Sequence, residues 1–386
     1  MQVKACWRRY GVGVDVHSQF AAVCVLVPDH QHNEINKHER ECSLHPAQLR
    51  ECLAWVRATV RSAGIEPEPL VYAVESTATF HYPLVRCWGG QPIIVNPSLA
   101  CQYKARKTDR FDASVLAYQA LTGLWQTTVL PSEQTEQLRL LMRTRRKLLR
   151  QRTSLYNAVG TRLAQWYCPL MGATPRSKLI RAIVEDAERG EFKSGHPCFS
   201  MAHCVPNLVW QRLVEMYSLT DNLTSLASSY EKQAQQLVDQ DLFRLHQSVP
   251  GVGQLTALVW HAEVEPAERF ARRPAVVAYC GFDPTPMVSA GKTVATRCRK
   301  GNSHIRCAIV QAAHSALNGK SHLAAVVRRR ANKHRNVLIS MAGRRIVEQL
   351  YRISLTRRPY EDPSRGEEGS PATPASEERV GVAHDD

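Results

Sequence analysis

Four acidic residues lie where a carboxylate can do chemistry. Asp15 falls within GVGVDVHSQF, residues 11–20, a run of small and β-branched apolar residues that predicts a buried strand. An ionised group in such a strand is costly unless it is paired or binds a metal. Glu75 closes a second strand-like run, LVYAVES. Asp109 and Asp112 occur in KTDRFDASVLAYQA, and their spacing places both on one face at the start of a helix.

The four carboxylates together have the chemistry of a metal site. If two strand ends and one helix converge, they can hold two divalent cations, and hard oxygen ligands favour Mg²⁺. Two such ions can hold the attacking and the leaving oxygens of a phosphodiester. Taken singly, each acid also has an ordinary role: Asp109 as a helix N-cap, Asp112 as a partner of the helix dipole, Glu75 as a solvated strand end. The ordered set of four in a basic chain favours the metal.

The elements that would position these acids predict an α/β domain over residues 1–125. Strand-like runs (YGVGVDV, FAAVCVLVP, LVYAVES, PIIVNP) alternate with helical patterns (HPAQLRECLAWVRATVRSAG, RFDASVLAYQALTG). Such alternation is typical of a sheet covered by helices.

The middle of the chain, residues 126–247, is predicted to be helical, with a loop insertion near 168–206 that is rich in Pro, Gly and Ser. Apolar residues recur at a spacing close to 3.5 in two stretches, which predicts an antiparallel helical pair or a coiled coil. The first face comprises Leu138, Leu141, Leu148, Leu155, Val159 and Leu163; the second comprises Leu208, Met216, Leu219, Leu223, Leu226, Tyr230 and Leu237.

A further unit is expected over residues 248–356. The tail, residues 357–386, is acidic, rich in Pro, Ser and Gly and poor in aromatic residues, which predicts disorder.

Composition limits the partners. The chain has 386 residues, a formal net charge of +15 and a pI of about 9.4, so a polyanion, and above all nucleic acid, is the expected partner. We see no apolar run long enough to span a bilayer and no secretory leader, so we expect a cytoplasmic protein with no membrane partner. Twelve cysteines without a Cys-x-x-Cys pair indicate free thiols in a reducing compartment.

Several segments carry a resemblance to a known family. GVDVHS, AVEST and NPSLACQYKARKTDRFDASVLA precede VPGVGQLTALVWHAEV and FARRPAVVAYCGFDPTPMVSAGKTVATRCRKGNSHIRCAIVQAA. In this order they resemble the insertion-sequence transposases of the IS110 family. The resemblance covers about residues 10–125 and 245–317.

That resemblance implies a RuvC-like (RNase H-like) N-terminal domain, a coiled-coil middle and a mainly α C-terminal domain that carries a nucleophilic serine. By matching motifs, Asp15, Glu75, Asp109 and Asp112 form the acidic set and Ser289 is the serine. The usual Ser-Gly-Gly is here Ser289-Ala290-Gly291. The family also implies the element ends and target as DNA partners and a bridge RNA as a guide. We further expect a homo-oligomer, a dimer or a tetramer.

Ser289 lies beside many cations. A serine hydroxyl is a poor nucleophile unless its surroundings activate it and stabilise the phosphoryl transition state. The alternative is a surface serine in a basic DNA-binding loop. The basic residues predicted to contact nucleic acid are Lys104, Arg106 and Lys107 near the acids, and Lys292, Arg297, Arg299, Lys300 and Arg306 near the serine.

Two more motifs stay open. SVPGVGQLTA resembles a helix-hairpin-helix turn whose backbone N–H groups approach a phosphate, although a plain turn packed through its glycines fits as well. HPCFSMAHC brings together His196, Cys198, His203 and Cys204, but this spacing fits no common zinc finger, so a metal-free loop is favoured.

Three functions remain possible. The first is a transposase or site-specific recombinase with a serine-linked intermediate and a metal in the acidic domain. The second is a metal-dependent nuclease of the Holliday-junction type that uses water and forms no covalent intermediate. The third is a nucleic-acid-binding protein whose acids are structural.

Overall fold

The architecture divides between Leu130 and Pro131 into two units. In the computed structural model the described residues are 8–29, 32, 34–75, 79–95, 109–123, 127–128, 130–166, 178–189, 206–289, 292–298, 300–330 and 332–363. Among them, no helix is long and apolar enough to cross a membrane.

The N-terminal unit is built on a six-stranded sheet. Its strands are β1 (Gly11–Val16), β2 (Phe20–Asp29), β3 (Glu34–Ser43), β4 (Val71–Glu75), β5 (Gln91–Val95) and β6 (Thr127–Thr128). They lie in the order β3-β2-β1-β4-β5-β6. The pairs β1–β2, β2–β3 and β5–β6 are antiparallel, whereas β1–β4 and β4–β5 are parallel. The α/β expectation for this region is confirmed.

Helices cover both faces of this sheet. Helices α1 (Pro46–Ser62) and α2 (His81–Trp88) pack on one face, and α3 (Asp109–Thr122) packs on the other. Strand β1 contacts both layers because successive side chains alternate between faces. Its valines pack with Leu49 and Val56 of α1, while Ala113 and Ala117 of α3 belong to the clusters on the opposite face.

The C-terminal unit is mostly helical. Its helices are α4 (Glu133–Trp166), α5 (Lys178–Arg189), α6 (Asn207–Gln236), α7 (Gln240–His246), α8 (Gln254–Glu263), α9 (Arg273–Tyr279), α10 (Ser303–Asn318), α11 (His322–Arg328) and α12 (Arg335–Thr356). A short 3₁₀ helix covers Ala267–Arg269, and a hairpin of β7 (Pro284–Ser289) and β8 (Lys292–Cys298) lies between α9 and α10.

The two long helices α4 and α6 pack side by side and run antiparallel. Arg145 donates to Glu231 at 2.9 Å, whereas farther along α4 the ring of Tyr156 meets Tyr217 at 5.9 Å. Moving forward along α4 therefore means moving backward along α6. The predicted helical pair is present.

The contact face of α6 is not the one predicted. Its buried residues include Leu213, Thr220, Ala227 and Ala234, spaced seven apart, whereas three members of the predicted face are exposed. These are Leu208, Leu219 and Leu226, at 62%, 51% and 42% exposure. The prediction followed large aliphatic residues, but two closely packed helices also bury small ones.

Two loop or tail predictions were wrong in part. Residues 168–206 contain helix α5, whose Val184 packs with Leu213 and Tyr217, so Pro, Gly and Ser mark only its flanks. Residues 357–363, assigned to a disordered tail, are ordered: the Arg357 side chain donates to Asp239 at 2.6 Å.

Candidate metal and serine sites

Asp15 is the central residue of the N-terminal site. It lies one residue before the end of β1 and is only 5% exposed. Gly11, Gly13 and Asp15 point to the same face because strand side chains alternate. A Cβ added at Gly13 would lie 2.1 Å from the Ala117 nitrogen and 2.2 Å from the Ala113 oxygen of α3. The glycines therefore let α3 lie directly on β1, with Asp15 on the same face.

The pairing of strands β1 and β4 places Glu75 beside Asp15. Strands β1 and β4 are parallel, and Val14 pairs with Val74 in their register. Glu75 follows Val74 at the end of β4, just as Asp15 follows Val14. The two carboxylates consequently stand on neighbouring strands at the same edge of the sheet and on the same face.

The other two acids come from helix α3. Asp109 is its first residue and Asp112 lies in its first turn. Carboxylates are favoured there because the helix dipole is positive at this end. A Cβ at Gly11 would meet Ala117 and Leu121, and one at Gly13 would meet Ala113 and Ala117, so α3 runs antiparallel to β1. This direction brings the start of α3 to Asp15.

His17 is a residue of this site that the sequence interpretation missed. Its Nε2 lies 3.2 Å from a carboxylate oxygen of Asp15 and 3.2 Å from one of Asp109. This Nε2 atom nevertheless has no hydrogen-bond partner within the described part of the chain. The available clue was its position two residues after Asp15, in the motif that had already been singled out.

The electrostatics of Asp15 reflect this crowding of acids. Burial is the largest cause that raises the pKa of Asp15, to about 6. The charge of His17 lowers this pKa, whereas the nearby carboxylates raise it; these are Glu75, Asp112 and Asp109. A buried carboxylate repelled by three others is stabilised in its ionised form by a cation.

Three of these side chains can hold a metal ion. Ligand atoms of Asp15, His17 and Asp109 all lie within 4.8 Å of one another. Carboxylate oxygens suit Mg²⁺, and an imidazole nitrogen suits transition metals. The unbonded Nε2 of His17, close to both carboxylates, fits the same role. The arrangement therefore fits a divalent cation.

Ser289 lies in the other unit, at the end of strand β7. In the antiparallel β7–β8 hairpin it pairs with Lys292, and the register shifts at Met287 and Val288. The backbone thus places the serine at the tip of a hairpin, directly opposite a lysine. Arg297 pairs with Thr285 toward the other end of the hairpin.

The predicted basic contacts divide into three groups. Lys300 is exposed, whereas Arg306 is half-buried, donates to the Gly281 carbonyl and lies over the Phe282 ring at 5.3 Å. Lys292 and Arg297 are placed by their backbone in β8. Those outside the described residues are Lys104, Arg106, Lys107 and Arg299, together with the zinc alternative His196, Cys198, His203 and Cys204.

The glycine-rich turn joins α7 to α8. Gly251 has φ +83°, and a Cβ there would lie 2.2 Å from the Ala312 oxygen of α10, so packing alone requires this glycine. Gly253 precedes α8, where an added Cβ would meet nothing within 4 Å. Packing thus explains Gly251. Nothing packs against the Cβ position of Gly253, so a phosphate could approach the backbone there.

Two family models match the chain. Residues 12–168 match the model of the DEDD transposase of IS110, described as a transposase, and residues 244–328 match the model described as the transposase of the IS116/IS110/IS902 family. Together they cover more than half of the chain. It belongs to the IS110 family of transposases. No curated protein matches this transposase.

The two matched segments of the transposase contain different candidate residues. The first spans Asp15, Glu75, Asp109 and Asp112, and the second spans Ser289. Each group therefore lies in its own matched segment and in its own structural unit.

Proposed function

We propose that this transposase is a DNA recombinase that breaks and rejoins strands through Ser289 with the help of a metal bound to Asp15, Glu75, Asp109 and Asp112. The observation that carries the proposal is the burial of Asp15 among acids from three elements, which leaves a carboxylate cluster in need of a cation. Transposases act on DNA, so the substrate is a phosphodiester.

The arrangement of the N-terminal unit supports a RuvC-like fold. Three antiparallel strands, β3-β2-β1, continue into the parallel strands β4 and β5, and acids stand at the ends of β1 and β4. The name of the matched family model spells Asp-Glu-Asp-Asp, which is the chain order of the four acids.

Mg²⁺, when bound, would neutralise charge on the reacting phosphate and orient its oxygens. Asp15 would hold the ion from the floor of the site, since its carboxylate is the buried one. Asp109 and Asp112 approach from the helix, and Glu75 approaches from the neighbouring strand.

Ser289 would supply the nucleophile. Its hydroxyl oxygen would form a bond to phosphorus and give up its proton to water. The bridging P–O bond would break, and the leaving DNA oxygen would take up a proton from water to become a hydroxyl. The reverse attack by a DNA hydroxyl rejoins the strands and frees the serine. Lys292 and Arg297 belong to the same hairpin, and such cations stabilise the charged phosphoryl transition state.

The remaining partners follow from the family and from charge. A bridge RNA would supply sequence recognition, and the net charge of +15 suits the simultaneous binding of RNA and DNA. We also propose a dimer or tetramer, because recombination brings two DNA sites together.

A recombination assay with two variants tests this proposal. Asp15→Asn removes ligand charge with little change of shape, and Ser289→Ala removes only the hydroxyl. Both should abolish strand exchange in Mg²⁺ while leaving DNA binding largely intact, because cations elsewhere provide the phosphate contacts. Normal exchange by Ser289→Ala would contradict attack by the serine. Cleavage by this variant without rejoining would instead support the second candidate, a metal-dependent nuclease that uses water.

A further inference from the structure

A cavity of about 420 Å³ opens in the C-terminal unit between α4, α8 and α10. Sites for small molecules usually have volumes of about 300–1,000 Å³ and mostly apolar walls with a few polar groups. None of the acids or the serine of the proposed reaction lines this cavity. The lining side chains come from one face of α4 and from the facing sides of α8 and α10.

The walls of the cavity are apolar. Met142 and Leu149 of α4 face Leu255 and Val259 of α8, and Ala308 of α10 completes the surface. Leu255 is 37% exposed, which is high for a large aliphatic side chain in a helical core. A contiguous apolar surface open to solvent is typical of a binding site.

Arginines surround these walls. Arg145 is held by Glu231 at 2.8 Å, and Arg146 donates to the Ser303 carbonyl at 2.9 Å. Arg150 is exposed and, within the described part of the chain, makes no hydrogen bond or ion pair. One guanidinium is therefore available to a ligand at the mouth, and two are fixed in place.

The acid in the lining does not cancel this charge. Glu263 is 1% exposed, and both its oxygens accept hydrogen bonds from Arg143 at 2.8 Å. Asn302 donates to it as well, at 2.7 Å. Burial raises the pKa of Glu263, but the bonds and charge of Arg143 outweigh burial and hold the pKa below its ordinary value. The carboxylate is thus ionised and already paired.

His304 also lines the cavity, and its lowered pKa keeps the imidazole neutral. Burial is the largest cause that lowers its pKa, and Glu263 raises it. Arg143, Arg146 and Arg150 lower the pKa further. A neutral imidazole can stack on a base and accept or donate a hydrogen bond at its edge.

We propose that this cavity receives the base of an unpaired nucleotide in the DNA substrate. The apolar walls and His304 would cover the faces of the base, and Arg150 would meet the adjoining phosphate. Bases that leave a duplex are commonly held in this way, between apolar or planar side chains with a cation at the backbone. DNA is the partner that the family provides, and strand exchange must unpair it. The inference requires only DNA binding, not the serine or metal chemistry.

DNA binding by cavity variants tests this assignment. The probes are a duplex with one bulged nucleotide and the same duplex with an abasic bulge, measured by fluorescence anisotropy. The wild-type protein should prefer the bulged base by about 5- to 100-fold. Ala308→Trp fills the cavity and should remove this preference. Ser315→Trp is the matched control, since Ser315 is exposed on the same helix and does not line the cavity.

A second pair of variants avoids changes in the core. Arg150→Gln should weaken binding of the bulged duplex several-fold more than Lys147→Gln, which removes an exposed cation three residues away and outside the cavity. This pair remains informative if Ala308→Trp fails to fold.

Three outcomes would overturn the proposal. The first is equal wild-type affinity for the bulged base and the abasic bulge. The second is equal behaviour of each variant and its control. The third is that the cavity variants lose a preference for a bulged base only when the bulged strand is RNA, or that they change the oligomeric state without changing DNA binding. The occupant of the cavity would then be RNA or a protein. None of these outcomes bears on Ser289→Ala, so the two proposals fail separately.

Discussion

At the residue scale, the ionisation of Asp15 shows what a bound cation would stabilise. A carboxylate whose folded pKa is raised from 3.8 to about 6 binds more protons in the folded state than in the unfolded state over that interval. Its ionisation therefore lowers stability as pH rises through this interval, by up to about 3 kcal/mol at neutral pH. A metal ion that binds only the folded state reverses this loss.

Asp15→Asn should consequently raise the melting temperature in metal-free buffer at pH 7.5 and should remove the further rise that Mg²⁺ or Mn²⁺ gives to the wild-type protein. The measurement is thermal unfolding with chelator and with each metal. Glu34→Gln, an exposed acid on β3, is the control and should keep the metal response. A variant that still responds to metal as the wild type does would place the ion elsewhere.

How far the residues of this site could be predicted depended on their type. Asp15 stood out because a buried strand seldom contains a carboxylate, and the spacing of Asp109 and Asp112 placed them together. His17 did not stand out, since a lone histidine after a strand has many structural explanations. Its contact with Asp109 depends on where α3 begins in space, which the sequence does not specify.

At the element scale, two glycines determine how closely α3 approaches β1. The three atoms nearest to a hypothetical Cβ at Gly13 all belong to the helix backbone, at 2.1, 2.2 and 2.7 Å, so no side-chain rotation can relieve these contacts. Any side chain there must push α3 away from the sheet, and Asp109 and Asp112 move with the helix.

Gly13→Ala should therefore lower stability by about 1–3 kcal/mol and weaken metal binding in the folded fraction. Denaturant unfolding and metal titration measure the two effects. Gly253→Ala is the control, because its Cβ would meet nothing within 4 Å, and it should change neither property. A Gly13→Ala protein with native stability and metal affinity would contradict this role.

Three helices of the C-terminal unit share a buried polar network. His246 of α7 contacts His261 of α8 at 3.2 Å and Ser354 of α12 at 3.0 Å. Burial lowers the pKa of His246 to about 3 and that of His261 to about 4. Between about pH 4 and pH 6.5 the folded state thus keeps both rings neutral, whereas the unfolded chain binds a proton on each.

Stability should accordingly fall as pH drops below about 6.5, by roughly 1 kcal/mol per pH unit for each histidine. Glu265 acts in the opposite direction, because burial raises its pKa above 4.5. Urea unfolding between pH 7 and pH 5 measures the net slope. His261→Gln should reduce the slope, whereas His38→Gln, an exposed histidine on β3, should leave it unchanged. Equal slopes in all three proteins would contradict this account.

The positions of the long helices and of most strands could be predicted from the sequence. Which side of a helix is buried was harder to predict. Alternating patterns gave β1, β2, β4 and β5 with helices α1 and α3 of the N-terminal unit, but β3, β6 and α2 were not predicted. Long apolar periodicity gave α4 and α6. The seam of α6 was missed because Thr220, Ala227 and Ala234 are small, and small residues bury well only where a partner helix lies close. That partner is known only from tertiary structure.

At the scale of the whole molecule, we expect net charge to govern the association with nucleic acid. A charge of +15 predicts that binding releases condensed counterions. The logarithm of the DNA association constant should fall with the logarithm of salt concentration by about 0.9 for each phosphate contact. Anisotropy titrations at salt concentrations between about 50 and 200 mM, where this effect is large, measure the slope. An affinity independent of salt would mean that charge does not govern binding.

The proposed reaction uses residues of both units, with metal at the acids and covalent attack by Ser289. The most direct measurement is mass spectrometry of a trapped reaction, to find a DNA strand joined to the peptide that contains Ser289. The adduct should form in wild-type protein with Mg²⁺ and be absent in Ser289→Ala. It should also be absent in Asp15→Asn, in which the serine is intact. Recombination without an adduct, or an adduct that forms equally well in Asp15→Asn, would contradict the account.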